Sequence, residues 1–429
     1  MITARAFAGK HYAVYGLARS GLATVEALLA SGAKVTAWDG NAEARESLAT
    51  NEVELCDLDE ADLTQFDSLV VTPGLPLNRH LIAARARAAG LEIIGDIELF
   101  ARARPELPPH KVVGITGTNG KSTTTALVHH ILQTAGVPSL MGGNIGLPIL
   151  AQEPLPEGGV YVLELSSYQI DLTQSLDCDV AVLLNITPDH LDRYDGFEAY
   201  AASKMRLFLL QSPKSLALIA EDDSGAEGIS YELEHRHDRP TDHFHGGELR
   251  GQSEWPALQG PHNSQNAIAA ALVCEALGAS DEAISRGLRA FPGLPHRMER
   301  IREKNSVIFV NDSKATNPTA TAPALAAFDR IRWICGGQAK TDNLVECAPS
   351  FGHVRSAYTI GEAGELFASL LGPHMPVAKC ETLENAVNRA AEDSQAGDTV
   401  LLSPACASFD QFRDFEQRGE TFRRLVEAL

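Results

Sequence analysis

A glycine-rich loop in the second quarter of the chain constrains the possible folds more than any other feature. The segment Gly114–Thr123 has the sequence GITGTNGKST, follows an apolar stretch and precedes apolar residues at helical spacing. Backbone N–H groups in such a loop can approach phosphates closely, and the start of the following helix adds positive potential. Lys121 would then bridge phosphate oxygens, and Ser122 could bind Mg²⁺. The segment predicts a nucleotide-binding strand–loop–helix unit, with a glycine-rich turn that binds nothing as the alternative.

Short apolar strands alternate with helices along the chain, which predicts parallel sheets. Residues 11–15 and 34–38, for example, are predicted strands on either side of a helix. A cluster of prolines predicts a linker or a domain boundary near residues 96–110, and a turn-rich break follows at Gly293–Arg297. We therefore expect an α/β protein of three domains. Their predicted boundaries are residues 1–100, 101–295 and 296–429.

Residues 221–256 do not follow this alternation, because acidic and glycine residues dominate there. We expect solvated turns or short antiparallel strands in this stretch. It also contains the histidines His235, His237, His243 and His245. Their spacing is not that of a close set of metal ligands, so a metal site is the less favoured alternative.

Composition narrows the classes of function. The formal net charge is -20, so the field of the whole protein should repel nucleic acid and anionic membranes. The seven cysteines are odd in number and form no C-x-x-C pair, which argues against a disulfide framework. No run of about 18 apolar residues predicts a membrane span, and the N-terminus lacks a signal-peptide pattern. We therefore expect a cytoplasmic protein with neither a nucleic-acid partner nor a membrane span.

Three further segments carry chemical groups close to predicted strand ends or helices. Glu164 ends an apolar strand beside two hydroxyl residues, which suits a carboxylate that holds a hard cation. His190 follows the next apolar strand, and Lys204 lies on a predicted helix. Each has an ordinary alternative, namely a structural carboxylate, a satisfied structural histidine and a solvated lysine.

The phosphate loop departs from the common pattern, because Ile115 occupies a position where glycine is expected. This variant resembles the loop of Mur ligases and folylpolyglutamate synthetases, which make amides by activating a carboxylate. The segments around Glu164, His190 and Lys204 resemble the metal centre of Mur ligases, in which the lysine carries CO₂ as a carbamate. The resemblance to the Mur ligase family runs from residue 11 to residue 424 and is weakest over residues 225–256.

The resemblance implies a role for each domain. A Rossmann-like first domain would bind a nucleotide-sugar substrate through UDP, a central phosphate-loop ATPase-like domain would bind ATP, and a Rossmann-like third domain would bind the amino acid and close over ATP. The expected catalytic residues are Lys121, His190 and Lys204. Those expected to bind ATP are Gly117, Thr118, Asn119, Gly120, Lys121, Ser122, Thr123, Asn266, Arg297, Asp312 and Lys314. Those expected to hold Mg²⁺ are Ser122, Glu164, Lys204 and His190.

The resemblance also implies which residues meet the two remaining substrates. Those expected to bind the UDP substrate are Ser20, Gly21, Asp39, Thr72, Gly74, Asn144, Ser166, Gln169 and His190. Those expected to bind D-glutamate are Thr316, Lys340, Ser408 and Phe415. The segment Gly16–Gly21 followed by Asp39 could also suggest a dinucleotide fold, but the G-x-G-x-x-G fingerprint is absent.

Several segments resemble the D-glutamate-adding branch of the family more than its siblings, and Leu402–Phe412 (LSPACASFDQF) is the most specific of them. The expected reaction is the ATP-dependent addition of D-glutamate to UDP-N-acetylmuramoyl-L-alanine through an acyl-phosphate, in peptidoglycan precursor synthesis. ATP and Mg²⁺ are the expected cofactors, and a monomer is the expected state. Two alternatives stay open: a sibling ligase that adds L-alanine or a diamino acid, and a phosphate-loop NTPase that only hydrolyses nucleotide.

Overall fold

The computed structural model describes residues 1–46, 48, 52–189, 193–236, 240–247 and 251–429. The strands of this part of the chain form three sheets. Within it, no helix combines the length and the apolar character that crossing a membrane requires.

The first sheet has five parallel strands. They are β1 (His11–Tyr15), β2 (Lys34–Trp38), β3 (Glu54–Leu55), β4 (Ser68–Val71) and β5 (Ile93–Ile94). The accompanying helices are α1 (Arg19–Ala30), α2 (Ala42–Glu46), α3 (Leu81–Ala88) and α4 (Asp96–Ala103). The strand order is β3-β2-β1-β4-β5. Strands β2 and β3 are added on one side of β1, and β4 and β5 on the other, so the topological switch point lies between β1 and β4. Loops that follow such neighbouring strands open a crevice at the carboxyl edge of the sheet, where ligands bind in α/β folds.

The second sheet has six parallel strands. They are β6 (His110–Thr116), β7 (Ser139–Gly143), β8 (Gly159–Glu164), β9 (Val180–Leu183), β10 (Leu216–Ala220) and β11 (Thr241–Phe244). Its helices are α5 (Lys121–Thr134), α6 (Ser167–Asp171), α7 (Gly196–Leu209), α8 (Ser224–Arg236), α9 (Pro261–Ala276) and α10 (Asp281–Ala290). The order is β11-β10-β9-β6-β8-β7, with β6 between β9 and β8. The loops after these three strands therefore meet at one edge of the sheet.

The third sheet has one antiparallel pair, β12 with β13, and is otherwise parallel. Its strands are β12 (Glu299–Lys304), β13 (Val307–Asn311), β14 (Ile331–Gly336), β15 (Val354–Ile360), β16 (Val377–Glu381) and β17 (Thr399–Leu402), in the order β12-β13-β17-β14-β15-β16. Its helices are α11 (Pro318–Ala326), α12 (Gly364–Leu371), α13 (Leu383–Asp393) and α14 (Phe415–Ala428). Alternate strand residues feed two apolar layers, one around Trp333 and Phe367 and the other around Tyr358 and Phe422. Helices thus cover both faces, as a parallel sheet requires.

Of the two expectations for residues 96–110, the linker is wrong, whereas a domain boundary there stays a prediction. Helix α4 occupies most of this stretch and buries Ile97, Leu99 and Phe100 in the same apolar core as the first two sheets. The prolines lie beyond the helix, in a short 3₁₀ turn at Arg104–Glu106 and the residues after it. Proline near a helix end is compatible with the helix before it, so the cluster marked an end of a helix rather than a linker.

The expectation of turns or antiparallel strands over residues 221–256 is also wrong for much of the described part. Helix α8 buries Ala226, Ile229 and Leu233 at helical spacing, and β11 then pairs with β10 in parallel. This is a strand–helix–strand crossover, which the many polar residues of α8 hide in the sequence. His237 lies outside the described residues.

By compactness the chain divides into two units, residues 1–247 with 265–288 and residues 248–264 with 289–429. The first and second sheets lie in the first unit, and the third sheet lies in the second. The domain boundaries at residues 100 and 295 stay a prediction.

Candidate functional site

The glycine-rich loop connects β6 to α5 at the carboxyl edge of the second sheet. Helix α5 begins at Lys121, and Gly120 before it has a left-handed φ of 84°. Gly117 has a φ of 152°, and a Cβ there would lie 3.1 Å from the Leu184 Cβ. Both positions therefore need glycine, for conformation and for space. The predicted strand–loop–helix unit is confirmed.

Asn185 holds the loop from the neighbouring strand connection after β9. The Thr118 N–H donates to the Asn185 carbonyl oxygen at 2.9 Å, and the Asn119 N–H donates to Asn185 Oδ1 at 2.8 Å. The Thr187 N–H donates to Thr118 Oγ1 at 3.0 Å. These bonds fix the loop backbone before any ligand binds, which is the preorganisation that phosphate binding requires.

Asn266 lies within helix α9 and is buried. Its Oδ1 accepts a hydrogen bond from Thr124 Oγ1 at 3.2 Å, on the first turns of α5. A Cβ at Gly120 would lie only 2.3 Å from the same Oδ1. Asn266 therefore packs directly against the phosphate loop.

Two lysine side chains converge on one carbonyl of the loop. Lys121 Nζ donates to the carbonyl oxygens of Gly117 and Thr118, each at 2.9 Å. Lys204 Nζ, from α7, also donates to the Gly117 carbonyl oxygen at 2.9 Å. Lys204 is only 1% exposed, so the interpretation as a solvated surface lysine is wrong. The structure thus brings Lys121 and Lys204 together at the start of α5.

The surroundings of Lys204 disfavour its charge. Burial, followed by the positive charge of Lys121, lowers its pKa well below the ordinary lysine value, against the opposing effects of Asp189 and Asp171. The Tyr200 ring, whose centroid lies 4.6 Å from Lys204 Nζ, favours the cation. Burial prevails, and the neutral amine is therefore more populated than in a surface lysine.

Glu164 ends β8 and is 2% exposed. Its Oε1 accepts a hydrogen bond from Asn144 Nδ2 at 3.0 Å, whereas its Oε2 is buried with no hydrogen-bond partner. An unsatisfied buried carboxylate oxygen is costly, and a bound cation is one way to satisfy it. Glu164 also pairs in register with Ile115 of β6, which places it at the same sheet edge as the phosphate loop.

Within the described residues, no group of three or more histidine, cysteine, aspartate or glutamate side chains is arranged to hold a metal ion. His190 lies outside the described residues, and its predicted roles are therefore not placed. In the histidine-rich stretch, His243 Nδ1 lies 2.9 Å from Glu221 Oε1 and 3.1 Å from Ser230 Oγ. Any cation beside the phosphate loop would depend on Glu164, hydroxyl oxygens and the ligand's own oxygens.

The predicted UDP-binding residues of the first sheet lie around the crevice between β1 and β4. A Cβ at Gly16 would lie 2.2 Å from Thr72 Oγ1, and one at Gly21 would lie 1.8 Å from the Gly16 carbonyl oxygen. Asp39 Oδ2 accepts from the Leu17 N–H at 2.7 Å, and so orders this turn. Ser20 lies on the first turn of α1. The close packing explains why this turn needs glycine.

Arg193 connects the loop after β4 of the first sheet with helix α6 of the second. It donates to the carbonyl oxygens of Gly74 at 3.2 Å and Leu75 at 2.8 Å, and its guanidinium lies 4.3 Å from the centroid of the Tyr168 ring. A cavity of about 470 Å³ lies beside this bridge and is lined in part by Pro73, Tyr168 and Arg193. This volume falls in the range of small-molecule sites.

Ser166 and Gln169 form the capping box of helix α6. Ser166 Oγ accepts from the Gln169 N–H at 3.3 Å, and Gln169 Oε1 accepts from the Ser166 N–H at 3.1 Å. Both side chains therefore have a structural use. Asn144 is exposed beside Glu164, and Arg19 Nη2 reaches the Gly146 carbonyl oxygen at 2.9 Å, so the loop after β7 meets the start of α1.

In the second unit, Asp312 lies in the turn after β13 and is buried. Its Oδ1 accepts from the Met298 N–H at 3.1 Å, and its Oδ2 accepts from Ser403 Oγ at 2.8 Å. Burial raises the pKa of its carboxyl group to about 7. The residue before Met298 is Arg297, in a turn where His296 and Met298 both have positive φ.

The residues predicted to bind D-glutamate come from separate segments of the second unit. Lys314 Nζ lies 3.7 Å from the centroid of the Phe415 ring, and Ser313 Oγ donates to the Phe415 carbonyl oxygen at 2.9 Å. The segment with Lys340 and the segment with Ser408 meet through reciprocal backbone bonds of 2.9 Å between Gln338 and Ala407. Thr316 is half-buried, Lys340 is exposed and Ser408 is buried.

Sequence reasoning missed two residues that organise these sites. Asn185 is polar at the end of an apolar strand, and its position could have identified it as a contact of the adjacent loop. Arg418 is a cation within the buried stripe of α14, together with Gly419, Phe422 and Val426. A charged residue at a position of the apolar stripe is visible in the sequence, and it indicates a buried side chain with polar partners.

Models of three Mur ligase domains match the chain. The MurD-like N-terminal domain matches residues 10–95, the middle domain residues 115–274, and the glutamate ligase domain residues 296–406. These ranges contain the first, second and third sheets in part or in full.

Full-length relatives agree with these matches. UDP-N-acetylmuramoylalanine–D-glutamate ligase of Novosphingobium aromaticivorans is 62% identical, covering 100% of this chain and 97% of the relative. The protein of the same name from Sphingopyxis alaskensis is 60% identical, with 100% of both chains covered. The crystal structure of MurF ligase from Thermotoga maritima in complex with ADP superposes with a TM-score of 0.63 at 16% identity, covering 98% of this chain and 96% of that one. At this identity the superposition supports the fold alone.

Proposed function

The chain belongs to the Mur ligase family, and from this premise we propose that it is an ATP-dependent ligase that adds D-glutamate to UDP-N-acetylmuramoyl-L-alanine. Its relatives at 60% and 62% identity carry the name of that enzyme over their full length. The architecture is the three-domain α/β architecture of the family, with Rossmann-like first and third domains and a central nucleotide-binding domain. The reaction belongs to peptidoglycan precursor synthesis.

The main geometric support for the proposal is that Lys121 and Lys204 both donate to the Gly117 carbonyl oxygen. A phosphate loop needs one lysine at the phosphates, and a nucleotide-hydrolysing switch has no evident use for a second buried lysine beside it. A ligase has such a use, because a carbamate on this lysine would help to hold the Mg²⁺ that positions the reacting groups.

The reaction would proceed in two balanced steps. A terminal carboxylate oxygen of UDP-N-acetylmuramoyl-L-alanine attacks the γ-phosphorus of ATP, and ADP leaves, which produces an acyl-phosphate. The amine of D-glutamate then attacks the acyl carbon, the carbon–oxygen bond to phosphate breaks, and the nitrogen loses a proton. Lys121 and the loop N–H groups would stabilise the charge that moves onto the phosphoryl group, mainly by position and electrostatics.

Lys204 would act as a carbamate. A neutral amine attacks CO₂ to form an N–C bond and releases a proton to solvent, so the lowered pKa of Lys204 favours this reaction. The carbamate nitrogen keeps one N–H, which could still donate to the Gly117 carbonyl oxygen. The modification replaces a cation by an anionic oxygen donor inside the protein, where such a donor suits a hard cation.

The residues present fit a bound Mg²⁺, because Glu164 Oε2 is a buried carboxylate oxygen without a protein partner. Glu164, Ser122, a carbamate on Lys204 and His190 would hold the ion. Bound there, Mg²⁺ would neutralise part of the phosphate charge. Asn144 would orient Glu164 through the hydrogen bond between its Nδ2 and Oε1.

The other predicted contacts follow the three parts of the reaction. For the UDP substrate, the crevice lined by Gly21, Asp39 and Thr72 offers close backbone approach. Gly74, Ser20, Ser166 and Gln169 are proposed as further contacts of that substrate. ATP would be bound by the loop residues Gly117–Thr123 with Asn266, Arg297, Asp312 and Lys314. D-Glutamate would be bound by Thr316, Lys340, Ser408 and Phe415.

A monomer and a cytoplasmic location also stay proposals. ATP and a nucleotide-linked sugar are intracellular metabolites, and this chemistry supports the location. Sedimentation of the pure protein would test the oligomeric state.

A phosphate-release assay with UDP-N-acetylmuramoyl-L-alanine and ATP tests the function. D-Glutamate should stimulate release strongly, whereas L-glutamate and L-alanine should not. The Lys121→Ala variant is the background control and should lose roughly 10²-fold or more in rate. Release that needs no amino acid would favour the NTPase alternative, and release that responds to L-alanine or a diamino acid would favour a sibling ligase.

A further inference from the structure

Arg418 lies on the inner face of α14 and is almost fully buried, with 1% of its surface exposed. Its Nε donates to Ser313 Oγ at 3.0 Å, and its Nη2 donates to the carbonyl oxygens of Ser313 at 2.9 Å and Cys406 at 3.0 Å. Its Nη1 donates to the Ala407 carbonyl oxygen at 3.2 Å. All four acceptors are neutral, so these bonds satisfy the donors without cancelling the charge.

The guanidinium touches three segments that are far apart in the sequence. Besides Ser313 and Ala407, it lies against Gly337, where an added Cβ would be 3.2 Å from Arg418 Nη1. The same Cβ would be 2.4 Å from the Ala407 carbonyl oxygen, so these segments are packed as closely as glycine allows. Each segment leads directly to a residue proposed to bind D-glutamate: Thr316, Lys340 and Ser408. Phe415, the fourth residue proposed to bind D-glutamate, is the first residue of the helix that contains Arg418.

The charge of Arg418 affects which amino acid the proposed D-glutamate site binds best. Burial lowers the pKa of Arg418 to about 10, which leaves it charged at neutral pH. Arg418 and Lys340 both act electrostatically on the buried Cys406 thiol, and the Asp410 carboxylate opposes them. Asp410 also acts on Arg418, but it accepts none of the guanidinium hydrogen bonds, so two cations face one carboxylate here and the balance favours an anion at the adjacent surface. A dicarboxylate amino acid matches this balance of charge better than a monocarboxylate one.

We propose that Arg418 is a positioning residue of the amino-acid site, whose guanidinium holds the three segments that supply Thr316, Lys340 and Ser408 and so sets affinity and selectivity for a dicarboxylate amino acid. This role rests on the proposed D-glutamate ligase function. The planar fork of arginine spans acceptors on different segments at once, which the single ammonium of lysine cannot do. Arg418 itself would not touch the substrate.

A merely structural arginine would behave differently when it is changed. Its loss would lower stability and reduce the active fraction, without a selective effect on one substrate. The kinetic distinction is therefore the KM for D-glutamate against the KM for ATP and for the UDP substrate. Val426→Ala is the matched control, because Val426 is fully buried on the same helix and lies in the apolar layer away from the fork. Arg424→Met controls for the loss of an arginine from the exposed face of α14.

The test compares Arg418→Lys and Arg418→Met with both controls. Thermal unfolding curves are measured first, and the kinetics are then measured at a temperature at which every variant is folded. We expect the KM for D-glutamate to rise about tenfold or more in both Arg418 variants, and the other two KM values to stay within about twofold. Val426→Ala should lower the melting temperature without this selective rise. If Arg418→Met does not fold, Arg418→Lys decides, because it keeps the charge and loses the fork.

A wild-type KM for D-glutamate in Arg418→Lys would overturn the proposal, as would an equal rise in all three KM values. Failure of the function itself gives a different result, since the wild-type protein would then show no dependence on D-glutamate.

Discussion

Lys204 shows how opposing effects on one side chain decide its chemistry. Burial and the neighbouring Lys121 disfavour its ammonium form, whereas Asp189, Asp171 and the Tyr200 ring favour it. The first pair prevails and the pKa of Lys204 falls. An amine with a lowered pKa is a better nucleophile at neutral pH, because more of it is unprotonated.

Replacement of Lys204 separates a carbamate from a simple cation. Lys204→Ala and Lys204→Arg should both be nearly inactive in D-glutamate ligation, because arginine keeps the charge but does not readily accept CO₂. Added acetate should restore part of the activity of the alanine variant by supplying a carboxylate oxygen. Lys111→Arg is the control, since Lys111 is exposed and pairs with Asp179. An active Lys204→Arg variant would refute the carbamate, whereas absent rescue alone would weaken it.

Asp312 provides a prediction of pH dependence. Burial raises its folded-state pKa to about 7 from an ordinary value of 3.8, so the native protein holds this proton over a range in which the unfolded chain has lost it. Stability from this group is therefore present below the unfolded pKa and is lost as the pH rises through about 7.

Asp312→Asn should remove this dependence. Its free energy of unfolding relative to the wild type should increase by roughly 1 kcal/mol between about pH 6 and pH 8, measured by denaturant titration of the ligand-free proteins. Activity should fall in the same variant if Asp312 binds ATP. A difference in stability that does not change with pH would show that Asp312 is not protonated in the folded protein near neutrality.

At the scale of elements, the backbone at the start of helix α5 is tightly constrained. Gly120 has a φ of 84°, and an added Cβ would lie 2.3 Å from Asn266 Oδ1. Gly136 follows the same helix with a φ of 78°, but nothing lies within 4 Å of an added Cβ there. The two glycines share a backbone conformation and differ in their surroundings.

This pair isolates the steric requirement of the phosphate loop. Gly120→Ala should reduce the ligation rate by about 10²-fold, because the clash displaces the loop from its productive position. Gly136→Ala should keep a near-normal rate and lose about 1 kcal/mol of stability through the strained conformation. Steady-state rates and denaturant unfolding of both variants provide the comparison. Equal rates in the two variants would contradict the placement of the phosphate site.

Elements with strong local signals could be predicted from the sequence. The bounds of β1 and β2 agree with the predicted strands, since each is a compact apolar run between turn residues. Helix α8 and strand β11 were missed because only a few apolar residues mark the buried side of α8. The linker expectation is wrong for a related reason, since the prolines after α4 obscure the apolar face of that helix in the sequence.

At the scale of the whole molecule, local signals cannot reveal how distant segments combine. The Arg418 guanidinium joins Ser313, Gly337 and Ala407, and the Lys204 ammonium reaches a loop 87 positions earlier in the chain. Family resemblance predicted Lys204 and residues in each segment around Arg418, but not Arg418 itself, which holds those segments together. The burial of Lys204 and Arg418 depends on tertiary packing, and neither residue type predicts it.

Transfer of oxygen from substrate to phosphate tests most directly the claim that this protein is a ligase acting through an acyl-phosphate. The terminal carboxylate of UDP-N-acetylmuramoyl-L-alanine would be labelled with ¹⁸O, and the phosphate released during turnover with ATP and D-glutamate would be analysed by mass spectrometry. Because a carboxylate oxygen attacks the γ-phosphorus and later leaves with it, each released phosphate should carry one labelled oxygen. Phosphate without label, released while the amide forms, would contradict an acyl-phosphate intermediate.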